Sequence, residues 1–141
     1  MKILAIRGKN LASLEDEFEI DFTTEPLKSA GIFAITGSTG SGKSTLLDAL
    51  CLALFDDTPR TSRARESIAI PDVRDKTVNQ KDCRTVLRRG MGEGYAEVDF
   101  ISLGGEKFRS RWMVKRARGR ADGALQNAEI VEYWQGGTTR V

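Results

Sequence analysis

An α/β fold organised around a glycine loop is predicted by three observations. The stretch Gly37-Ser38-Thr39-Gly40-Ser41-Gly42-Lys43-Ser44-Thr45 fits the pattern G-x-x-x-x-G-K-[ST] at every fixed position. Residues 31–36 before it, Gly-Ile-Phe-Ala-Ile-Thr, form a short apolar run of the kind that makes a buried strand. Residues 46–55 after it are apolar almost all round, as in a helix covered on two sides. Strand, glycine loop and helix together are the context that gives the pattern its meaning.

The loop's chemistry follows from its residue types. Gly37, Gly40 and Gly42 allow backbone conformations that a side chain forbids, so the chain can wrap closely round an anion. The loop's N–H groups, across Gly37, Ser38, Thr39, Gly40, Ser41, Gly42, Lys43, Ser44 and Thr45, are then expected to point inward as a concave nest for phosphate oxygens. The loop runs into a helix N-terminus, where unpaired N–H groups and the helix dipole favour negative charge. Lys43 is expected to reach the β- and γ-phosphates and the charge that develops on them during transfer. Ser44 is expected to ligate Mg²⁺, with Thr45 closing the motif. The implied ligands are the phosphates of a nucleotide together with Mg²⁺.

The rest of the chain, in order, supports a sheet. Residues 2–7 read as a first strand. In residues 16–22, Phe18, Ile20 and Phe22 alternate with acids, so one face is buried and the other wet. The two strands predict an antiparallel hairpin ahead of the loop. Residues 23–29, with Pro26, are a connector. Asp56-Asp57-Thr58-Pro59-Arg60 ends the helix, since proline restricts the residue before it. Residues 56–94 are polar and read as a loop-rich insertion, with a short helix near 81–88. Period-two alternation returns in 95–100 and in 107–114, across a turn at Gly104-Gly105. A further turn at Ala121-Asp122-Gly123 leads to a strand at 129–134 and then to Gly136-Gly137. Residues 1–141 are expected to form one incomplete domain, whose last portion, 95–141, is antiparallel strands and stops in mid-hairpin.

Composition narrows the chemistry. Hydrophobic residues are 40% and charged residues 30%, which is ordinary for a globular domain. No apolar run approaches ~18 residues, so no membrane span is expected. There is no histidine, which excludes Ser-His-Asp triads and His-ligated zinc within this chain. Cys51 and Cys83 are the only cysteines; a disulfide is not indicated, and a cytoplasmic location is expected.

The net charge of +2 hides an asymmetry. Residues 1–58 carry 5 basic and 9 acidic side chains, and residues 59–141 carry 17 and 11. The run 107–120 has seven basic residues and no acid. A solvated strand face explains it, and so does a sequence-independent contact with DNA phosphates through Lys107, Arg109, Arg111 and Lys115. Trp112 alternates with that basic face and is expected in the core.

Two further signals have plain explanations. Ser102-Leu103-Gly104-Gly105-Glu106 looks at a glance like the L-S-G-G signature of ABC-type ATPases, but the order is wrong and strands flank it, so it reads as a turn. Hydrolysis needs an acid after an apolar strand to hold Mg²⁺ and a group to orient water. Asp99 and Glu132 are the candidates and neither fits, so the catalytic acid pair is expected outside this stretch.

Several pieces together resemble the N-terminal ATPase lobe of the SbcC family, in the SMC-like branch of the ABC ATPases. They are Met1-Lys2-Ile3-Leu4, Lys9-Asn10-Leu11, Ser13-Leu14, Ile20-Asp21-Phe22 and Phe33-Ala34-Ile35-Thr36-Gly37. Gly42-Lys43-Ser44-Thr45-Leu46-Leu47-Asp48-Ala49-Leu50-Cys51-Leu52-Ala53-Leu54-Phe55 and Thr58-Pro59-Arg60 follow. Ala96-Glu97-Val98-Asp99-Phe100, Arg116-Ala117-Arg118 and Asp122-Gly123 complete the set. The resemblance covers most of the chain and is weakest from about 61 to 90. Ala12 departs from relatives that carry arginine there, and it is assigned no role.

The resemblance implies a much longer bacterial protein, with two ATPase halves at the ends of an antiparallel coiled coil. It implies ATP held between two heads of a homodimer, double-stranded DNA as substrate and an SbcD-type nuclease as partner. The glutamine loop, signature and acid pair would lie beyond Val141. Three other classes remain open from the residues alone: a guanylate-type nucleotide kinase, a nucleotide-binding subunit of a transporter, and a DNA-binding module without catalysis.

Overall fold

A computed structural model describes residues 1–64, 66–134 and 137–140, with side chains described no further than residue 131. Its centre is a sheet of six strands: β1 (Lys2–Leu11), β2 (Leu14–Asp21), β5 (Glu93–Ile101), β6 (Lys107–Lys115), β7 (Glu129–Trp134) and β8 (Gly137–Arg140). The spatial order is β2-β1-β5-β6-β7-β8, and every recorded pairing is antiparallel. One helix, α1 (Lys43–Phe55), lies across one face. The polar stretch between α1 and β5 carries the short helix α2 (Pro59–Ser62) and a small hairpin of β3 (Ala69–Pro71) with β4 (Thr77–Asn79).

Period two decides which side chains meet the helix. Ile6 on β1 sits opposite Ile20 on one side and Val98 on the other. On β5 and β6, Ala96, Val98, Ser110, Trp112 and Val114 are all buried. The facing surface of α1 is Thr45, Asp48, Ala49, Leu52 and Ala53, the i, i+3, i+4, i+7, i+8 stripe of a helix with one covered side. Two hydrogen bonds tie the helix to the sheet in this layer: Ser110 Oγ donates to the Ala53 carbonyl at 2.5 Å, and Trp112 Nε1 donates to Asp56 Oδ1 at 2.7 Å. Asp56 caps the helix in a left-handed conformation, φ 54°.

The opposite face of the sheet is a lattice of charge. Arg7 bonds Glu19 at 2.7 Å and Asp99 at 2.8 Å, and lies 3.3 Å from Glu97. Burial alone raises the Asp99 pKa, but hydrogen bonds from Arg109 and Arg7 outweigh it and hold that carboxyl below its ordinary value.

The hairpin read at 2–7 and 16–22, the strands at 95–100, 107–114 and 129–134, and the turn at 104–105 all appear, with Gly105 at φ 91°. The turn read at Gly136-Gly137 falls partly outside the described residues; Gly137 begins β8. Three expectations are corrected. Residues 31–36 form no strand: none of them enters a recorded pairing, and Ile32 is 95% exposed. An apolar run becomes a strand only beside another strand that satisfies its backbone, and here Phe33 merely stacks on Phe22 at 5.3 Å. Helix α1 is covered on one side only, with Leu47 61% and Phe55 71% exposed. The short helix read near 81–88 is a 3₁₀ turn at Cys83–Val86, capped by the Asp82 carboxylate.

Candidate phosphate-binding site

Helix α1 begins at Lys43, so the glycine loop ends where the helix N-terminus opens. Gly40 and Gly42 have φ of 84° and 92°, the left-handed region that a side chain resists. Gly42 is constrained twice over, because a Cβ there would lie 2.4 Å from Leu14 Cδ2. The hairpin of β1 and β2 therefore presses directly on the end of the loop. Ser41 N–H closes the turn onto the Ser38 carbonyl at 3.2 Å.

Lys43 spans the loop. Its ammonium donates to the carbonyls of Gly37 and Ser38, both at 2.7 Å, and lies 3.3 Å from Ser41 Oγ. The positive charge thus sits inside the curve that Gly37, Ser38, Thr39, Gly40, Ser41 and Gly42 trace. Ser44, in the first turn of α1, is exposed, and its hydroxyl makes no hydrogen bond among the described residues. Thr45 faces inward, 1% exposed, with its hydroxyl 3.2 Å from Ser13 Oγ.

A cleft of about 230 Å³ opens on this loop, lined by Gly40, Ser41, Gly42, Lys43, Ser44 and Thr45 together with Ser13 and Arg60. The residues fit a magnesium–phosphate group: a tight loop turning at two positive-φ glycines, one ammonium, and an uncommitted hydroxyl on the first turn of a helix. A bound nucleotide would supply the phosphate, and these residues would hold it.

Ser13 and Arg60 were not picked out as site residues by the loop pattern. Each lies far from it in sequence, Ser13 on the turn of the β1–β2 hairpin and Arg60 on α2. Their only signal was membership in the resembling segments Ser13-Leu14 and Thr58-Pro59-Arg60.

The candidate DNA-contacting residues divide into two groups. Arg109 grips Asp99 through two hydrogen bonds, at 2.5 and 2.8 Å, which raise its own pKa. Arg111 lies 3.6 Å from Glu97 and stacks 3.9 Å over the Tyr95 ring. Lys107 and Lys115 are exposed and make no ion pair among the described residues. Asp99 belongs to that charged face, on the other side of the sheet from α1. The Glu132 side chain lies outside the described ones.

Comparison with known proteins adds the family. A profile described as the AAA domain matches residues 5–135, nearly the whole chain. The chain belongs to the AAA domain family. This AAA domain is 60% identical over 129 residues to the SbcC subunit of nuclease SbcCD from Pseudomonas aeruginosa, covering 92% of the chain and 11% of that protein. It is 50% identical over 126 residues to the protein of the same name from Rhodobacter capsulatus, covering 89% and 10%. The Bacillus subtilis protein of that name matches 68 residues at 46% identity, covering 48% and 6%. The AAA domain thus spans about a tenth of the length of the first two of these relatives. Among its described residues, no helix is long and apolar enough to cross a membrane.

Proposed function

We propose that the chain is the ATP-binding N-terminal half of an SMC-like, ABC-type ATPase head in an SbcC-type protein. Mg-ATP is its ligand. Lys43 contacts the terminal phosphates through transfer, Ser44 ligates Mg²⁺, and the loop of residues 37–45 forms the cradle. The observation that carries this reading is Lys43 held inside a positive-φ glycine loop at the start of α1. The whole protein would act with an SbcD-type nuclease on ends and hairpins of double-stranded DNA in the bacterial cytoplasm, its heads pairing as a homodimer over ATP.

That the chain is half a domain is supported by its apolar surface. Ile32, Phe33, Ile35, Leu47 and Phe55 are between 46% and 95% exposed, on the segments that enter and leave the loop. Side chains of this size gathered near a ligand site are a surface awaiting cover. The second ATPase half of the longer protein is the cover proposed.

The test compares ATP turnover by the purified 141-residue chain and by the full-length protein. The chain alone is expected to turn over negligibly, because neither an acid pair nor a signature is assigned within it; the full-length protein is expected to hydrolyse. Substantial turnover by the chain alone would contradict the half-head reading. Robust phosphate transfer to nucleoside monophosphates would favour a kinase instead.

A further inference from the structure

Beside the phosphate cleft the chain buries a carboxylate. Asp48 lies one turn beyond Ser44 on α1, is 4% exposed, and is the only acid on the covered stripe of that helix. Burial pushes its pKa up, and Arg60 opposes that shift. Arg60 Nη2 sits 2.6 Å from Asp48 Oδ2. No other donor reaches the buried Oδ2 among the described residues, so Arg60 is its one close partner.

The segment that carries Arg60 is fixed with unusual care for its length. A four-residue helix does not stand alone. Here Thr58 and Thr61 are 1% and 3% exposed, and the Thr58 hydroxyl caps the Thr61 amide at 3.3 Å. Asp57 Oδ1 accepts from the Thr58 amide at 2.7 Å, and Ser62 Oγ donates to the Thr58 carbonyl at 2.9 Å. Pro59 sets the first helical residue. What this knot presents is one half-exposed guanidinium on the wall of the cleft.

We propose that Arg60 is a second phosphate-contacting cation of this cleft, and that Asp48 is the positioning residue that holds it there. The inference rests on the nucleotide reading of the loop and adds a residue to it. A guanidinium has five N–H donors in a planar fork suited to phosphate, and a single short contact, to Asp48, is recorded for this one. A triphosphate carries more negative charge than one ammonium offsets, and donors fixed before the ligand arrives lose little freedom in binding it. The pairing also neutralises Asp48, which would otherwise repel phosphate from just beneath the cleft.

The test titrates the full-length protein with a fluorescent Mg-ATP analogue, with a thermal melt of each variant. Arg60→Gln is expected to weaken binding about tenfold, equivalent to about 1.4 kcal/mol. Arg60→Lys, which keeps the charge and a long stem, is expected to recover most of the loss. Asp48→Asn is expected to weaken binding less than Arg60→Gln, and the double variant to bind as Arg60→Gln does, since Asp48 acts through Arg60. Parent-like affinity in Arg60→Gln, while Lys43→Ala fails to bind, overturns this proposal and leaves the loop reading standing. Additive losses in the double variant, or a folded Arg60→Lys as weak as Arg60→Gln, also overturn it. Parent-like binding by Lys43→Ala removes the loop reading itself, and this proposal with it.

Discussion

Trp112 Nε1 donates to Asp56 Oδ1 at 2.7 Å, tying the central residue of the sheet's core to the residue that ends the loop's helix. Trp112 is fully buried and Asp56 carries a positive φ, so the bond holds a strained cap in place. The helix whose N-terminus opens the candidate phosphate cleft is therefore anchored at its far end. Asp56→Ala leaves the buried indole N–H without an acceptor and is expected to cost about 1–3 kcal/mol. Asp56→Asn retains an acceptor and tolerates the left-handed conformation, so it should cost clearly less. Urea denaturation of the three proteins checks this; equal stability of parent and Asp56→Ala would show that the bond contributes nothing.

Lys43 bridges the glycine loop from the first residue of α1 back to the carbonyls of Gly37 and Ser38. Lys43→Ala removes the ammonium from the cradle and the clamp from the loop. Mg-ATP binding by the full-length protein is expected to vanish, because a charge-assisted phosphate contact is lost where the backbone alone cannot replace it. Calorimetry with a non-hydrolysable ATP analogue measures it, and surviving affinity would refute the assignment.

What could be read from the residues, and what could not, divides along a physical line. The strands carrying Phe18, Ile20, Val98 and Trp112 were legible because alternation is local: each side chain reports its own face. The glycine loop was legible because Gly40 and Gly42 mark backbone conformations that few other residues adopt. Residues 31–36 were misread because burial depends on a neighbour that hydrophobicity does not specify. The same is true of the uncovered side of α1, where Leu47 and Phe55 look like core residues by type. Arg60 and Ser13 reach the cleft through tertiary placement, which spacing does not encode. Arg109 looked like a free cation because its partner Asp99 is ten residues away, across the β5–β6 hairpin.

That pairing separates the four candidate DNA contacts. Lys107 and Lys115 are exposed and unpaired among the described residues, so each can meet a phosphate without breaking an existing bond. Changing either to alanine in the full-length protein is expected to lower the slope of log affinity against log salt by about one. Arg109→Ala should leave the slope nearly unchanged and lower the melting temperature instead, since it strips Asp99 of its two-point partner. Salt titrations of DNA binding, read beside thermal melts, distinguish these outcomes. A reduced slope in Arg109→Ala with unchanged stability would place that arginine on the DNA and not in the lattice.

A further ion pair is expected to contribute to the acid limit of stability. Arg116 grips Asp72 through Nη2 at 2.7 Å and Nη1 at 3.1 Å, and the two side chains are only 7% and 12% exposed. The hydrogen bonds from Arg116 hold the Asp72 pKa below its ordinary value of 3.8, against the burial that would raise it. A carboxyl depressed on folding contributes stability that is fully present above its unfolded pKa. That stability is lost as pH falls through the folded value, because protons then bind the unfolded chain preferentially. The loss therefore begins near pH 4 and deepens below it. Asp72→Asn should cost roughly 1.5–3 kcal/mol at neutral pH, where a charge-assisted bond is lost. It should also flatten the acid limb, since the group that titrates is gone. Denaturation midpoints from pH 7 to pH 3 measure both effects, and an acid limb equally steep in the two proteins would mean that other carboxylates set it.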